Sequence, residues 1–183
     1  MNAFSSIGVS LLLGVSLATG AAQATTKSIN LQDVSPANTF KIAQADQSKL
    51  VTENRKLLID NRALARKIAT KLGISSTGEI PTTGTPLEQN QILILQNQET
   101  FKAIAEKVGA TVPSLEAISA TDLPEKNHGL LLQNRSIVVG ILKKIGIAPA
   151  TPPTLTGTFV EKNNVLLKGN AATLAKIAAK YGV

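Results

Sequence analysis

The chain has 183 residues and a formal net charge of +7, and 43% of it is apolar, yet it contains only four Phe, one Tyr and no Trp. It has no cysteine, which excludes disulfides, thiolate nucleophiles and sulfur-ligated metals. A core must therefore be built from Leu, Ile, Val and Ala, the usual material of helix-on-helix packing, in one domain or one short array.

Residues 1–26 carry no charged side chain, and an apolar stretch from Ile7 to Ala18 leads to Ala22-Gln23-Ala24. Small residues at the first and third positions of that triplet suit a signal peptidase, so 1–24 is predicted to be a signal peptide cleaved after Ala24, leaving a secreted or periplasmic chain. The stretch before the apolar run has no Lys or Arg, and a retained N-terminal anchor is the alternative. Residues 25–47 show weak periodicity and are expected to form an N-terminal linker, although Phe40-Lys41-Ile42-Ala43 echoes Phe101–Ala105.

From residue 48 to 183 four segments align without gaps: Asn54–Ile74, Asn90–Ala110, Asn127–Ile147 and Asn163–Val183, their first residues 36, 37 and 36 apart. Six positions hold one residue type in every copy. They are the first Asn, a Leu three later (Leu57, Leu93, Leu130, Leu166), a second Asn (Asn61, Asn97, Asn134, Asn170), an Ile (Ile68, Ile104, Ile141, Ile177), a Lys and a closing Gly. A fixed period of this length is the mark of a repeat architecture.

Thr85 with Glu88, Asp122 with Glu125 and Thr158 with Glu161 fit a capping box, in which cap and acid each satisfy an orphan amide. Ser48 could cap the first copy. Pro86 suits a first helical position, where its missing N–H costs nothing. The common Lys complements the negative pole of a helix, and the common Gly accepts the left-handed conformation that ends one. These signals predict helices over about 49–72, 86–108, 123–145 and 159–181, each roughly 35 Å long. The segments between them, such as Ser75–Gly84 and Ala148–Gly157, are dense in Thr, Pro, Gly and Ser and read as extended connectors. Ser114–Ala120 is expected to add a helical turn.

Counted from the first Asn as zero, positions 0, 4, 7, 11, 14 and 18 follow the alternating four-and-three spacing of a coiled-coil seam, widened by the Leu at position 3. The predicted fold is all-α: four repeats of about 36 residues, each one long amphipathic helix plus a connector, in a bundle or coiled-coil-like array. Its seam and interaction residues are Asn54, Leu57, Asn61, Ile68, Asn90, Leu93, Asn97, Ile104, Asn127, Leu130, Asn134, Ile141, Asn163, Leu166, Asn170 and Ile177. Arg55, Lys56, Arg62, Arg66, Lys67 and Lys71 fall opposite the seam and are expected to be a solvated face. An amide in an apolar seam costs stability unless another amide meets it at the same level, which favours parallel register within one chain or between chains. An up-and-down bundle and helix donation to an oligomer stay open.

No catalytic constellation emerges. The single histidine, His128, has no counterpart in the other copies and reads as a surface residue; Glu88, Glu125 and Glu161 are explained by capping. There is no glycine-rich phosphate loop, His-Glu-x-x-His or calcium loop. No enzyme activity, cofactor or metal is expected. The expected partners are a second copy of the chain or an envelope protein. Anionic surface polymer or lipid is the basic chain's further option. Nucleic acid is disfavoured because stacking aromatics are scarce.

The run Thr173-Leu174-Ala175-Lys176-Ile177-Ala178-Ala179-Lys180-Tyr181-Gly182-Val183 resembles the first-helix region of LysM domains, and Thr100–Ile118 resembles it with a second short helix added. That resemblance implies mixed strand and helix, and binding to peptidoglycan or chitin-type glycans. The Gly-Asp-Thr turn that such domains place before the helix is missing here, so no binding residue is carried over.

Overall fold

The computed structural model describes residues 36–183, which are helical or irregular throughout, without a β-strand. The predicted signal peptide and the first part of the predicted linker lie outside the described residues. Four helices succeed one another: α1 (Pro36–Lys71), α2 (Pro86–Lys107), α3 (Leu123–Lys144) and α4 (Phe159–Tyr181). Each packs on two neighbours, α1 on α2, α2 on α3, α3 on α4, and α4 back on α1, which closes a four-helix bundle.

The helices begin where side chains replace missing backbone partners. Thr85 and Thr158 form complete capping boxes with Glu88 and Glu161, and the Asp122 carboxylate accepts from the Glu125 amide at 2.8 Å. They stop in four equivalent ways: Gly73, Gly109, Gly146 and Gly182 take φ between +67° and +77°. The amide of the next residue then turns back onto the last turn, as Ile74 does to the Ala69 carbonyl and Ala110 to that of Ala105, both at 2.8 Å.

The linker expected over 25–47 is corrected by α1, which is already helical from Pro36. After Pro36 the stretch to Lys49 has no Gly or Pro, and extending a nucleated helix costs far less than starting one. Ser48 is no cap; its carbonyl accepts from the Thr52 hydroxyl inside the helix. The turn expected at Ser114–Ala120 is also absent. Leu115 and Ile118 are drawn onto the two core clusters instead, and Gly129 leaves the room: a Cβ there would lie 3.0 Å from Ile118 Cδ1. The second short helix implied over Thr100–Ile118 by the LysM resemblance does not form, because this stretch is the end of α2 and an extended connector, and the strands that the resemblance implies are absent among the described residues.

All four helices run in the same direction. Asn54 on α1 bonds the Val160 carbonyl on α4, and Asn61 bonds that of Leu167, so seven residues forward on one helix is seven forward on the other. Each connector must therefore return along the bundle. Residues 72–85, extended, reach roughly 45 Å, which exceeds the roughly 33 Å of a 22-residue helix. Gly78 and Pro81 are met by Arg62 and Arg55 in that order, so the first connector runs antiparallel to α1.

The interior has two apolar zones. Leu58, Leu93, Ile94, Leu130, Leu131, Leu166 and Leu167 form one. The other lies toward the helix C-termini and is centred on Ile68, Phe101, Ile104, Val138, Ile141, Leu174 and Ile177. The level of Asn61, Asn97, Asn134 and Asn170 separates them.

Candidate functional site

The chain concentrates its buried polar chemistry in two levels of asparagines. In the level nearer the helix starts, Nδ2 of Asn54, Asn90, Asn127 and Asn163 donates to the carbonyls of Val160, Val51, Leu87 and Pro124 at 3.0–3.2 Å. In the next, Asn61, Asn97 and Asn134 donate to Leu167, Leu58 and Ile94 over the same range. Every bond points from one helix to the helix before it, with α1 pointing to α4. Each accepting carbonyl sits three residues before the Asn of its own helix and has a second lone pair beyond its intrahelical bond. At the first level the directional pattern closes on itself.

Amide meeting amide was the expectation at these levels, and it is corrected: backbone carbonyls take the donors. Two first-level oxygens find other partners, Asn54 Oδ1 accepting from Asn164 Nδ2 and Asn163 Oδ1 contacting His128 Nδ1, both at 2.9 Å. His128 is thereby half-buried beside Phe159 and not a free surface residue. The Oδ1 atoms of Asn90, Asn97, Asn127, Asn134 and Asn170 are buried without a partner. Around the first level the axial space is only about 10 Å³, lined by the four asparagines with Leu58, Ile94, Leu131 and Leu167, room for at most one water.

All sixteen seam residues are brought together inside one chain. The eight asparagines, Leu93, Leu130, Leu166 and the four isoleucines are buried, and Leu57 is half-buried against the first apolar zone.

The face expected to be solvated is corrected at three arginines. Arg62 is buried; its Nη1 donates to Gln96 Oε1 and its Nη2 to the Gly78 carbonyl at 2.5 Å. Arg66 donates to the same carbonyl and Arg55 to that of Pro81, each at 2.6 Å. Burial, and then the neighbouring Arg66, holds the Arg62 guanidinium below its usual range. A connector rich in Pro and Gly has carbonyls that no helix or sheet satisfies, and a fork of N–H donors answers that need. That shortage of donors was the available sequence signal. Gln96 and Gln133 hold the Glu79 and Glu116 carbonyls in the same manner at 3.2 and 2.7 Å.

Three connectors leave one groove, between α4 and α1, to be closed by direct pairs. Lys168 meets Glu53 at 2.9 Å, Asn164 meets Asn54, and Gln47 meets the Thr158 hydroxyl at 3.3 Å. The Lys168 hydrogen bond, and then that of Asn164, holds the Glu53 carboxyl below the usual range.

Among the described residues no three His, Cys, Asp or Glu side chains converge as for a metal ion, and no helix is long and apolar enough to cross a membrane. Comparison with protein-family models, curated proteins and solved structures finds no match.

Proposed function

We propose that this chain is an exported, non-enzymatic helical-repeat protein of the cell envelope or extracellular space, acting as a structural or interaction element. Its four units are copies of one repeat, packed side by side in a parallel, coiled-coil-like bundle. The observation that carries the reading is the closed, one-way ring of asparagine-to-carbonyl bonds. The equivalent offset at four interfaces is what duplicated units produce, and it uses the polar core to register helices. The seams close within one chain, so a partner, whether a second copy or an envelope protein, meets the outer faces and the ends.

Export rests on the uncharged, apolar start and the Ala22-Gln23-Ala24 triplet. Fractionation of the native host with N-terminal sequencing of the mature chain tests it: a chain beginning at Thr25 outside the cytoplasm is expected, and an intact Met1 chain in the cytosol overturns it. Capture on insoluble peptidoglycan that survives high salt would instead favour a glycan-binding module.

A further inference from the structure

The parallel course of the helices has an electrostatic consequence. Lys71, Lys107, Lys144 and Lys180 close the last turns of α1 to α4, and because all four helices end at the same level these lysines share one pole of the bundle, with Lys143 beside them. In an up-and-down bundle they would be divided between two ends. All five are exposed, and none takes part in an ion pair among the described residues. Glu106 is the one acid in the last two turns of the four helices. The first-turn acids Glu88, Glu125 and Glu161 stand at the opposite pole.

Helix ends carry partial negative charge of about −0.5 each, which offsets only part of these lysines. The glycine-tipped ends also bring apolar residues toward the same pole: Ile74 and Ile147, packed against the second apolar zone, are half-buried. Lys144 reaches sideways over the end of α2, its Nζ 3.7 Å from where a Gly109 Cβ would be. The result is a pole with partly exposed aliphatic side chains among unpaired ammonium groups. A bilayer carrying anionic headgroups offers the complement, phosphate for the lysines and an apolar boundary for those side chains.

We propose that the C-terminal pole of the bundle docks on an anionic lipid bilayer, with the helix axes upright on the surface. This deepens the reading of the chain as an interaction element but does not depend on its export, so vesicle binding and host fractionation fail independently.

The test is co-sedimentation of the full chain with vesicles of phosphatidylglycerol and phosphatidylcholine in equal parts, and with phosphatidylcholine alone. The expected result is preference for the anionic vesicles, lost at about 0.5 M salt. The pair Lys71→Glu and Lys144→Glu is expected to weaken that preference about 10-fold or more. The pair Lys49→Glu and Lys56→Glu, exposed toward the other pole and equal in charge change, leaves it within about twofold. Circular dichroism of unchanged helicity shows that both variants fold. Equal losses from both pairs would mean net charge alone and overturn the proposal. So would equal binding to both vesicle types, or capture on heparin without vesicle binding, which assigns the pole to a soluble polyanion.

Discussion

Asn97 of α2 donates its amide to the Leu58 carbonyl of α1 at 3.1 Å, three residues before Asn61, while its own Oδ1 is buried without a partner. The side chain thus specifies register at an energetic cost. An orphaned buried acceptor costs about 1–3 kcal/mol, and the bond it accompanies contributes about 1 kcal/mol. Changing Asn97 and Asn134 together to Leu is expected to raise the melting temperature by several degrees and to broaden the mass distribution in sedimentation, because the device that fixes neighbours has gone. Asn97→Asp should do the reverse, losing about 3 kcal/mol at neutral pH by placing a carboxylate against a carbonyl, with recovery in acid as the group protonates.

Phe101 and Ala65 occupy equivalent seam positions on adjacent helices and share the second apolar zone, 2% and 0% exposed. Phe101→Ala should cost about 3–5 kcal/mol in urea unfolding and Ala65→Phe about 1–3 kcal/mol. The double variant should lose less than the sum, since a large side chain is moved within one level and not removed.

Arg62 ties the first connector to α1 and α2. Arg62→Met strands the Thr77 carbonyl and Gln96 Oε1 and leaves the Gly78 carbonyl to Arg66 alone, and it is expected to cost about 2–3 kcal/mol, with new protease cleavage within Ser75–Gly84. Lys56→Met removes only an exposed pair with Asp60 and should stay within about 0.5 kcal/mol.

Gly157 and Gly146 both have positive φ, at +85° and +77°, but their surroundings differ. A Cβ on Gly157 would meet the Glu161 carboxylate at 2.3 Å, whereas Gly146 has open space. Gly146→Ala is expected to cost about 1–2 kcal/mol for backbone strain, and Gly157→Ala about 1 kcal/mol more because the capping box at Thr158 opens. Thermal unfolding of the two variants gives the comparison.

Glu88 and Glu161 are held below the usual carboxylate range by the backbone N–H of Thr85 and Thr158, and then by the hydroxyls. A depressed carboxyl stabilises the fold fully above its unfolded pKa, and the contribution is lost as pH falls through the folded pKa. Stability should therefore decline below about pH 4.5. In the double variant Glu88→Gln and Glu161→Gln that decline should be shallower, as urea unfolding at about pH 3 and about pH 6 would record.

Much of the secondary structure was legible because its causes are local. Thr85 and Thr158 find their glutamates three residues on, and Gly109 and Gly182 end helices through bonds within one turn. The linker boundary misled for a related reason: Pro36 to Lys49 has helical composition without an apolar stripe, and α1 reaches back through it from the amphipathic part beyond Lys49. The arginines were misplaced because helical phase says which side of a helix they occupy, but not that a connector returns over that side.

Local bonding along the chain thus determined helices, caps and a stripe of Leu, Ile and Asn. The spacing of the stripe could not determine direction, since steps at 0, 4, 7, 11, 14 and 18 are the same read backwards; the asparagines at 0 and 7 favoured parallel register, but on the ground of amide pairs that the bundle does not form. Direction came from contacts distant in sequence: connectors long enough to return, arginines that hold them, and Asn54 meeting a carbonyl 106 residues away. Only those contacts decided that the asparagines bond backbone, that the ring closes within one chain, and that four lysines gather at one end.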